Sequence, residues 1–181
     1  QLVRAIGAIA NKGTLVTPHF LVQKGSEKAD WGQGQQVISS DACESVIGDL
    51  RDVVLEGTGQ DAQVAGYDVV GKTGTGQQAL DTGGYLDDSY LSSFIGFANG
   101  EDAQVLCYVG LYGTAQHGSA AAAPFYTGIG RKHSGIIPHR KTENPIDQDP
   151  AEKFKQRDDT GAKQHLLCGG TVTERTANPT D

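Results

Sequence analysis

No methionine occurs among the 181 residues, and the chain opens on Gln1. It is therefore expected to be a piece of a longer protein. No apolar run approaches the ~18 residues that a membrane helix needs. No signal-peptide pattern precedes the first amphipathic stretch, so the location of the parent stays open on these grounds. Cysteine is scarce. Cys43, Cys107 and Cys168 are odd in number and widely spaced, which is no disulfide framework. Cys107 lies in an apolar run and is expected to be a small core residue. Positive charge is scarce too: residues 1–130 hold six Lys/Arg against fourteen Asp/Glu, and residues 131–181 hold nine against eight, giving −7 overall. An acidic body argues against nucleic acid or an anionic membrane as the main partner. It also leaves Lys72 with few cations near it in sequence.

What is present has a clear order. Leu2, Ala5, Ile6 and Ile9 fall at helical spacing, which predicts a helix over 1–11. Asn11-Lys12-Gly13 ends it, with Gly13 suited to a left-handed cap. Thr14 to Val22 is expected as a strand interrupted by Pro18, and 23–36 as a polar, Gly-rich surface loop. Asp41 with Glu44 three residues on predicts a capping box. Val46, Ile47, Leu50, Val53 and Val54 give the following helix one apolar face, and Gly57-Thr58-Gly59 closes it.

A β region follows. Val64 to Val70 leads into Gly71-Lys72-Thr73-Gly74-Thr75, and a Gly- and Asp-rich stretch occupies 81–88. Tyr90 to Ala98 is expected as a second strand and Gln104 to Tyr112 as a third, central one. Asn99-Gly100 lies between them as a turn signal. Three strands joined by short connections predict an antiparallel meander. Ser119 to Gly130 is Ala-rich and helical in pattern, broken or kinked at Pro124. From 131 the pattern fails. Pro138, Pro145, Pro150 and Pro179 stand among mixed charges and few large apolar residues, so 131–181 is expected as a polar, disordered or loosely docked tail. The fold class is α+β: an antiparallel sheet flanked by helices, incomplete at its N-terminus.

Gly66 to Thr73 satisfies the phosphate-loop pattern G-x-x-x-x-G-K-[ST]. That pattern needs a buried strand before the loop and a helix opening at the lysine, so that backbone N–H groups wrap the phosphates. Here Val69-Val70 favour extended structure, and Gly74-Thr75-Gly76 is a poor helix start. Nucleotide binding is a remote alternative, and its mark would be ATP binding lost in Lys72→Ala.

Read as a strand, the same residues alternate faces. Lys72 and Gly74 share one face with Val70, and Thr73 and Thr75 share the other. Twist at the glycine can bring Lys72, Thr73 and Thr75 to one rim. Gly74 removes a side chain where something must approach the backbone. A strand with free N–H groups, two hydroxyls and a cation suits an extended peptide ending in carboxylate. Main-chain pairing sets its register, and the hydroxyls and ammonium take the carboxylate.

The segment from Gly66 through Lys72-Thr73-Gly74-Thr75 to Gln77 resembles the K-T-G strand of penicillin-binding proteins, especially the class B transpeptidases. Gln1 to Pro18, Val54-Leu55-Glu56-Gly57-Thr58-Gly59, Ser93-Phe94-Ile95-Gly96-Phe97-Ala98 and Ala122-Ala123-Pro124-Phe125 resemble further patches of that family, in its order. The resemblance covers about 1–130. It implies a serine D,D-transpeptidase: a serine attacks the bond between the last two D-alanines of a peptidoglycan stem peptide, and the acyl group passes to an amine on a neighbouring strand. β-Lactams would acylate the same serine. Lys72 would supply charge and join the proton network. Thr73 and Thr75 would hold the substrate carboxylate, Gly74 would line the substrate strand, and the Thr75 N–H would be half of an oxyanion hole. The resemblance implies no cofactor and no metal. It also implies an anchored parent on the outer face of the bacterial cytoplasmic membrane, with wall-synthesis or division proteins as partners.

The chain departs from the family in one large respect. No serine has a lysine three residues on, and no S-x-N occurs. Both motifs are expected upstream of Gln1, and the isolated chain is expected to be inactive. Rival readings of the intact protein are a non-catalytic β-lactam or peptide sensor and a β-lactamase-like protein of the same fold. His117-Gly118-Ser119 lacks the nucleophile elbow, which favours a loop histidine. His165 and Cys168 with His133 or His139 match no recognised zinc spacing. Asp87 and Asp88 are expected as solvating loop charges.

Overall fold

The structure is a computed structural model that describes residues 1–100 and 102–132 and, as backbone, 163–167. Helix α1 spans Leu2–Ala10. It ends where the Gly13 N–H reaches back to the Ala8 carbonyl at 2.7 Å. Gly13 has φ +92°, and a Cβ there would sit 1.9 Å from the Ile38 carbonyl oxygen, so only glycine fits this crossing.

The region between the first two helices departs from the sequence expectation. Strand β1 is only Thr14–Leu15, and the chain is not in a strand from 16 to 22. Pro18 has no N–H to give a ladder. The polar stretch 23–36 is not a plain loop. It holds a small hairpin, β2 (Gln23–Lys24) with β3 (Glu27–Lys28), and β4 (Gln35–Gln36), which pairs antiparallel with β1. Side-chain bonds hold that pairing: Thr14 Oγ1 donates to Gln36 Oε1 at 3.0 Å, and Gln36 Nε2 donates to the Lys12 carbonyl at 2.9 Å.

Helix α2 spans Ser40–Leu55. Its cap is Ser39, whose Oγ accepts from the Ala42 N–H at 3.3 Å, and Asp41 lies in the first turn instead of capping it. A carboxylate there still favours the positive helix end. The buried face is Cys43, Ile47 and Val54 with Leu50 half-buried, while Val46 is exposed. A short 3₁₀ turn, Gln60–Ala62, follows.

The main sheet is the expected meander with one strand added. Strands β5 (Val69–Ala79), β6 (Tyr85–Ala98), β7 (Leu106–Thr114) and β8 (Lys163–Leu167) lie in that order, all antiparallel. Strand β6 starts at Tyr85, so Asp87 and Asp88 lie within it and not in a loop. The tight connection is Gly83 and Gly84, both with φ near +90°. β8 falls in the stretch expected as an unstructured tail and pairs instead with β7. Pairing needs only backbone donors and acceptors, and these leave little mark on a polar sequence. Positions 133–162 and 168–181, with His133, His139 and Cys168, lie outside the described residues.

Helices α3 (Gly118–Ala121) and α4 (Ala123–Lys132) are separated at Ala122, with Pro124 in the first turn of α4. Each face of the sheet has its own core. One joins Val54, Val69, Phe94, Val109, Ala123 and Tyr126. The other joins Ile47, Val70, Ile95, Phe97 and Leu106 to α1. Burying Phe94 and Phe97 fully contributes roughly 2–3 kcal/mol each. Phe94 also meets Tyr126 edge to face at 4.8 Å.

Candidate active-site rim

Strand β5 has only β6 beside it among the described residues, so its other flank carries unpaired backbone groups. Lys72-Thr73-Gly74-Thr75 lie in the middle of this edge strand, opposite Ile95, Phe94, Ser93 and Ser92 respectively. Lys72 and Thr75 are exposed, and Thr73 and Gly74 are half-buried. The Lys72 ammonium donates to the Thr73 carbonyl at 3.0 Å, which holds the charge along the strand edge. The phosphate-loop reading is overturned here: Lys72 sits inside an eleven-residue strand, not at a helix N-terminus.

Glycines set how tightly the rim is built. Gly71 pairs with Gly96, and the Phe94 ring lies across both. A Cβ at Gly71 would come within 2.5 Å of Phe94 Cζ, and one at Gly96 within 2.7 Å of the Val70 carbonyl oxygen. At Gly74 a Cβ would meet Ser93 Oγ at 2.5 Å. Glycine is thus a packing requirement at Gly71 in β5 and at Gly96 in β6, where backbone atoms stand in the way, while at Gly74 only the Ser93 hydroxyl would have to turn aside.

Each rim hydroxyl is engaged from outside the strand. Thr75 Oγ1 accepts from the Gly118 N–H at 3.0 Å. The loop before α3 is in turn fixed to the sheet. The buried Ser92 hydroxyl donates to the Gln116 carbonyl, and the Gln116 N–H donates to Thr114 Oγ1 at 3.1 Å. His117 meets the Tyr90 ring edge to face at 4.9 Å, a packing role for the loop histidine. On the other side, Thr73 Oγ1 lies 2.7 Å from Thr58 Oγ1. Thr58 has no role in the sequence expectation beyond ending α2.

Asp68 leads the chain into the strand. It takes both Arg51 Nε and Arg51 Nη2 on its carboxylate, at 2.9 and 2.8 Å. This bidentate pair ties α2 to the entry of β5, and the Asn99 N–H donates to the Asp68 carbonyl at 2.7 Å.

The structure therefore brings Lys72, Thr73, Gly74 and Thr75 together on one exposed edge. It adds Thr58, Ser92 and Gly118 as groups that touch or support them. Thr58 and Gly118 stand 15 and 43 residues from their partners, too far for a local pattern to reveal them.

Comparison with known proteins gives the family of this fold. The family model for the penicillin binding protein transpeptidase domain matches residues 1–130. Stage V sporulation protein D of Bacillus subtilis is 37% identical over 96% of this chain, and the match takes in 28% of that protein. Penicillin-binding protein PbpB of Mycobacterium tuberculosis is 30% identical over 83% of the chain and 24% of its own length. The chain thus spans about a quarter of the curated relatives it matches, and the first match continues well past residue 130. Among solved structures, penicillin binding protein 3 of M. tuberculosis in complex with aztreonam superposes with TM-score 0.67 at 30% identity, over 77% of this chain and 35% of that one. The transpeptidase domain of Burkholderia pseudomallei penicillin-binding protein 3 gives 0.65 at 27%, over 78% and 43%. With its edge strand, its meander and a match over most of its length, the chain belongs to the penicillin binding protein transpeptidase domain family.

Proposed function

We propose that the protein carrying this chain is a peptidoglycan D,D-transpeptidase, and that residues 1–130 form the C-terminal part of its catalytic domain. The observation that carries this reading is the edge strand β5, with Lys72, Thr73 and Thr75 along a flank that has no strand beside it among the described residues. An extended stem peptide pairs with that flank through its main chain. Its terminal carboxylate is taken by the Thr73 and Thr75 hydroxyls, with Lys72 supplying positive charge. The Thr75 N–H donates to the oxygen that becomes anionic as the carbonyl is attacked, a contribution worth ~3 kcal/mol in such sites.

The attacking serine and its lysine lie outside this chain, since none of its serines has a lysine three residues on. The chain supplies the wall that binds and polarises, and the missing part supplies the nucleophile. β-Lactams, which present a strained amide and an acidic group to the same wall, acylate that serine. On this reading the parent works outside the cytoplasmic membrane, where its stem-peptide substrate lies, alongside other wall-synthesis proteins.

The test is fluorescent penicillin with the full-length protein and with residues 1–181 alone. Covalent labelling of the full-length protein that unlabelled β-lactam blocks, with none on the isolated chain, is the expected result. An unlabelled full-length protein overturns the reading.

A further inference from the structure

Thr58 lies in the turn Gly57-Thr58-Gly59, just beyond the last residue of α2. That turn is built to hold one place. The Glu56 and Gly57 N–H groups both donate to the Asp52 carbonyl, at 2.8 and 3.0 Å, and the Gly59 N–H donates to the Val53 carbonyl at 2.9 Å. A Cβ on Gly57 or Gly59 would lie 2.9 or 3.0 Å from the Val53 carbonyl oxygen, so the chain folds back tightly over the helix end. Gln60 Nε2 and Gln63 Nε2 cap the Leu55 and Val54 carbonyls at 3.2 and 2.8 Å. The turn presents the Thr58 hydroxyl to Thr73, with 2.7 Å between oxygens.

Two hydroxyls at that distance share one proton between them, and each has only one to give. Without an anion either can be the donor. An anion at the rim removes the choice. Thr73 then gives its proton to the anion, and Thr58 must give its own to Thr73. A hydroxyl that accepts one hydrogen bond is polarised and becomes a better donor in the next.

We propose that Thr58 is a positioning residue for the carboxylate end of the ligand, acting through Thr73 as a two-hydroxyl relay. This rests on the transpeptidase reading above. Thr58 touches neither the reacting carbonyl nor the nucleophile, so its effect falls on ligand affinity and not on the acylation step.

The test uses the full-length protein with Thr58→Val and Thr58→Ser, and resolves binding from acylation by a carboxylate-bearing penicillin. Thr58→Val keeps the shape and removes the relay proton. It is expected to weaken the binding constant by about tenfold, the scale of one hydrogen bond in a charged network, with the acylation rate and thermal midpoint unchanged. Thr58→Ser keeps the hydroxyl and is expected to restore binding to within about twofold. Wild-type binding in Thr58→Val, or equal loss in Thr58→Ser, overturns the role of Thr58 while acylation of the wild type leaves the transpeptidase reading standing. A wild type that takes up no β-lactam overturns both.

Discussion

The Gly118 N–H donates to Thr75 Oγ1 at 3.0 Å, and Gly118 itself lies so close to β5 that a Cβ would stand 2.4 Å from the Gly74 carbonyl oxygen and 2.7 Å from that of Ser93. The start of α3 therefore fixes both the backbone of the rim and the direction of one of its hydroxyls. Because Thr75 accepts from Gly118, its own proton is free to point outward to a ligand. Gly118→Ala should push the loop off the strand. A cost of about 1–3 kcal/mol is expected from overpacking, with at least a tenfold drop in penicillin labelling of the full-length protein. Urea denaturation and labelling rates measure the two effects separately, and a variant with wild-type labelling would show that the rim tolerates the shift.

The Arg51–Asp68 pair is partly open to water, with side chains 31% and 23% exposed. Solvent screening keeps its coupling modest, while its bidentate geometry raises it above a loose surface pair. A double-mutant cycle with Arg51→Ala and Asp68→Ala should give a coupling of about 1 kcal/mol that shrinks as salt is raised. A coupling of zero at low salt would mean that the pair only decorates the surface.

Phe94 is fully buried between Tyr126 and the paired glycines. Gly71 and Gly96 themselves have no side chain to fill the space its ring would leave. Phe94→Ala should therefore cost about 3–5 kcal/mol, read as a lower denaturant midpoint. A loss near 1 kcal/mol would show that the sheet collapses onto the glycines.

Burial raises the Cys43 thiol above its ordinary value of 9.0. Burial first, and the Cys107 thiolate second, raise the Tyr126 phenol above its ordinary 10.0. Both groups are neutral in the folded and the unfolded chain at neutral pH. As pH rises past 9 and then 10, the unfolded chain loses these protons while the folded chain keeps them, so stability falls. Unfolding should become markedly easier above pH 9, and Tyr126→Phe should flatten the upper part of that dependence. A stability curve that is level between pH 8 and 11 would contradict this. Cys43 and Cys107, both buried and in no disulfide among the described residues, should react with a thiol reagent only at the rate of unfolding.

The parts of the molecule legible in the sequence are those whose pattern is local. Lys72 to Thr75 alternate along a strand, Asn99 adopts the positive φ that its turn requires, and Gly13 ends α1 as its position suggests. The illegible parts depend on residues far apart. The β1–β4 pairing joins Thr14–Leu15 to Gln35–Gln36, two residues on each side, and is secured by Gln36, so both strands are too short for any apolar alternation to announce them. Ser39 caps α2 where Asp41 with Glu44 offers an equally good local motif, and the chain is pinned two residues earlier by the Val37 N–H bond to the Gly13 carbonyl, 24 residues away in sequence. Thr58 is a glycine-flanked threonine like many others until β5 is laid beside it.

The bidentate tie between α2 and the entry of β5 has a mechanical consequence. Thr58 hangs from one end of α2, and Lys72 and Thr73 begin four residues beyond the anchored Asp68. While that tie holds, helix and strand shift together, and Thr58 keeps its place beside Thr73; loosening it lets the far end of α2 drift from the strand, so the pair's small energy is spent on alignment at a hydroxyl contact well away from it.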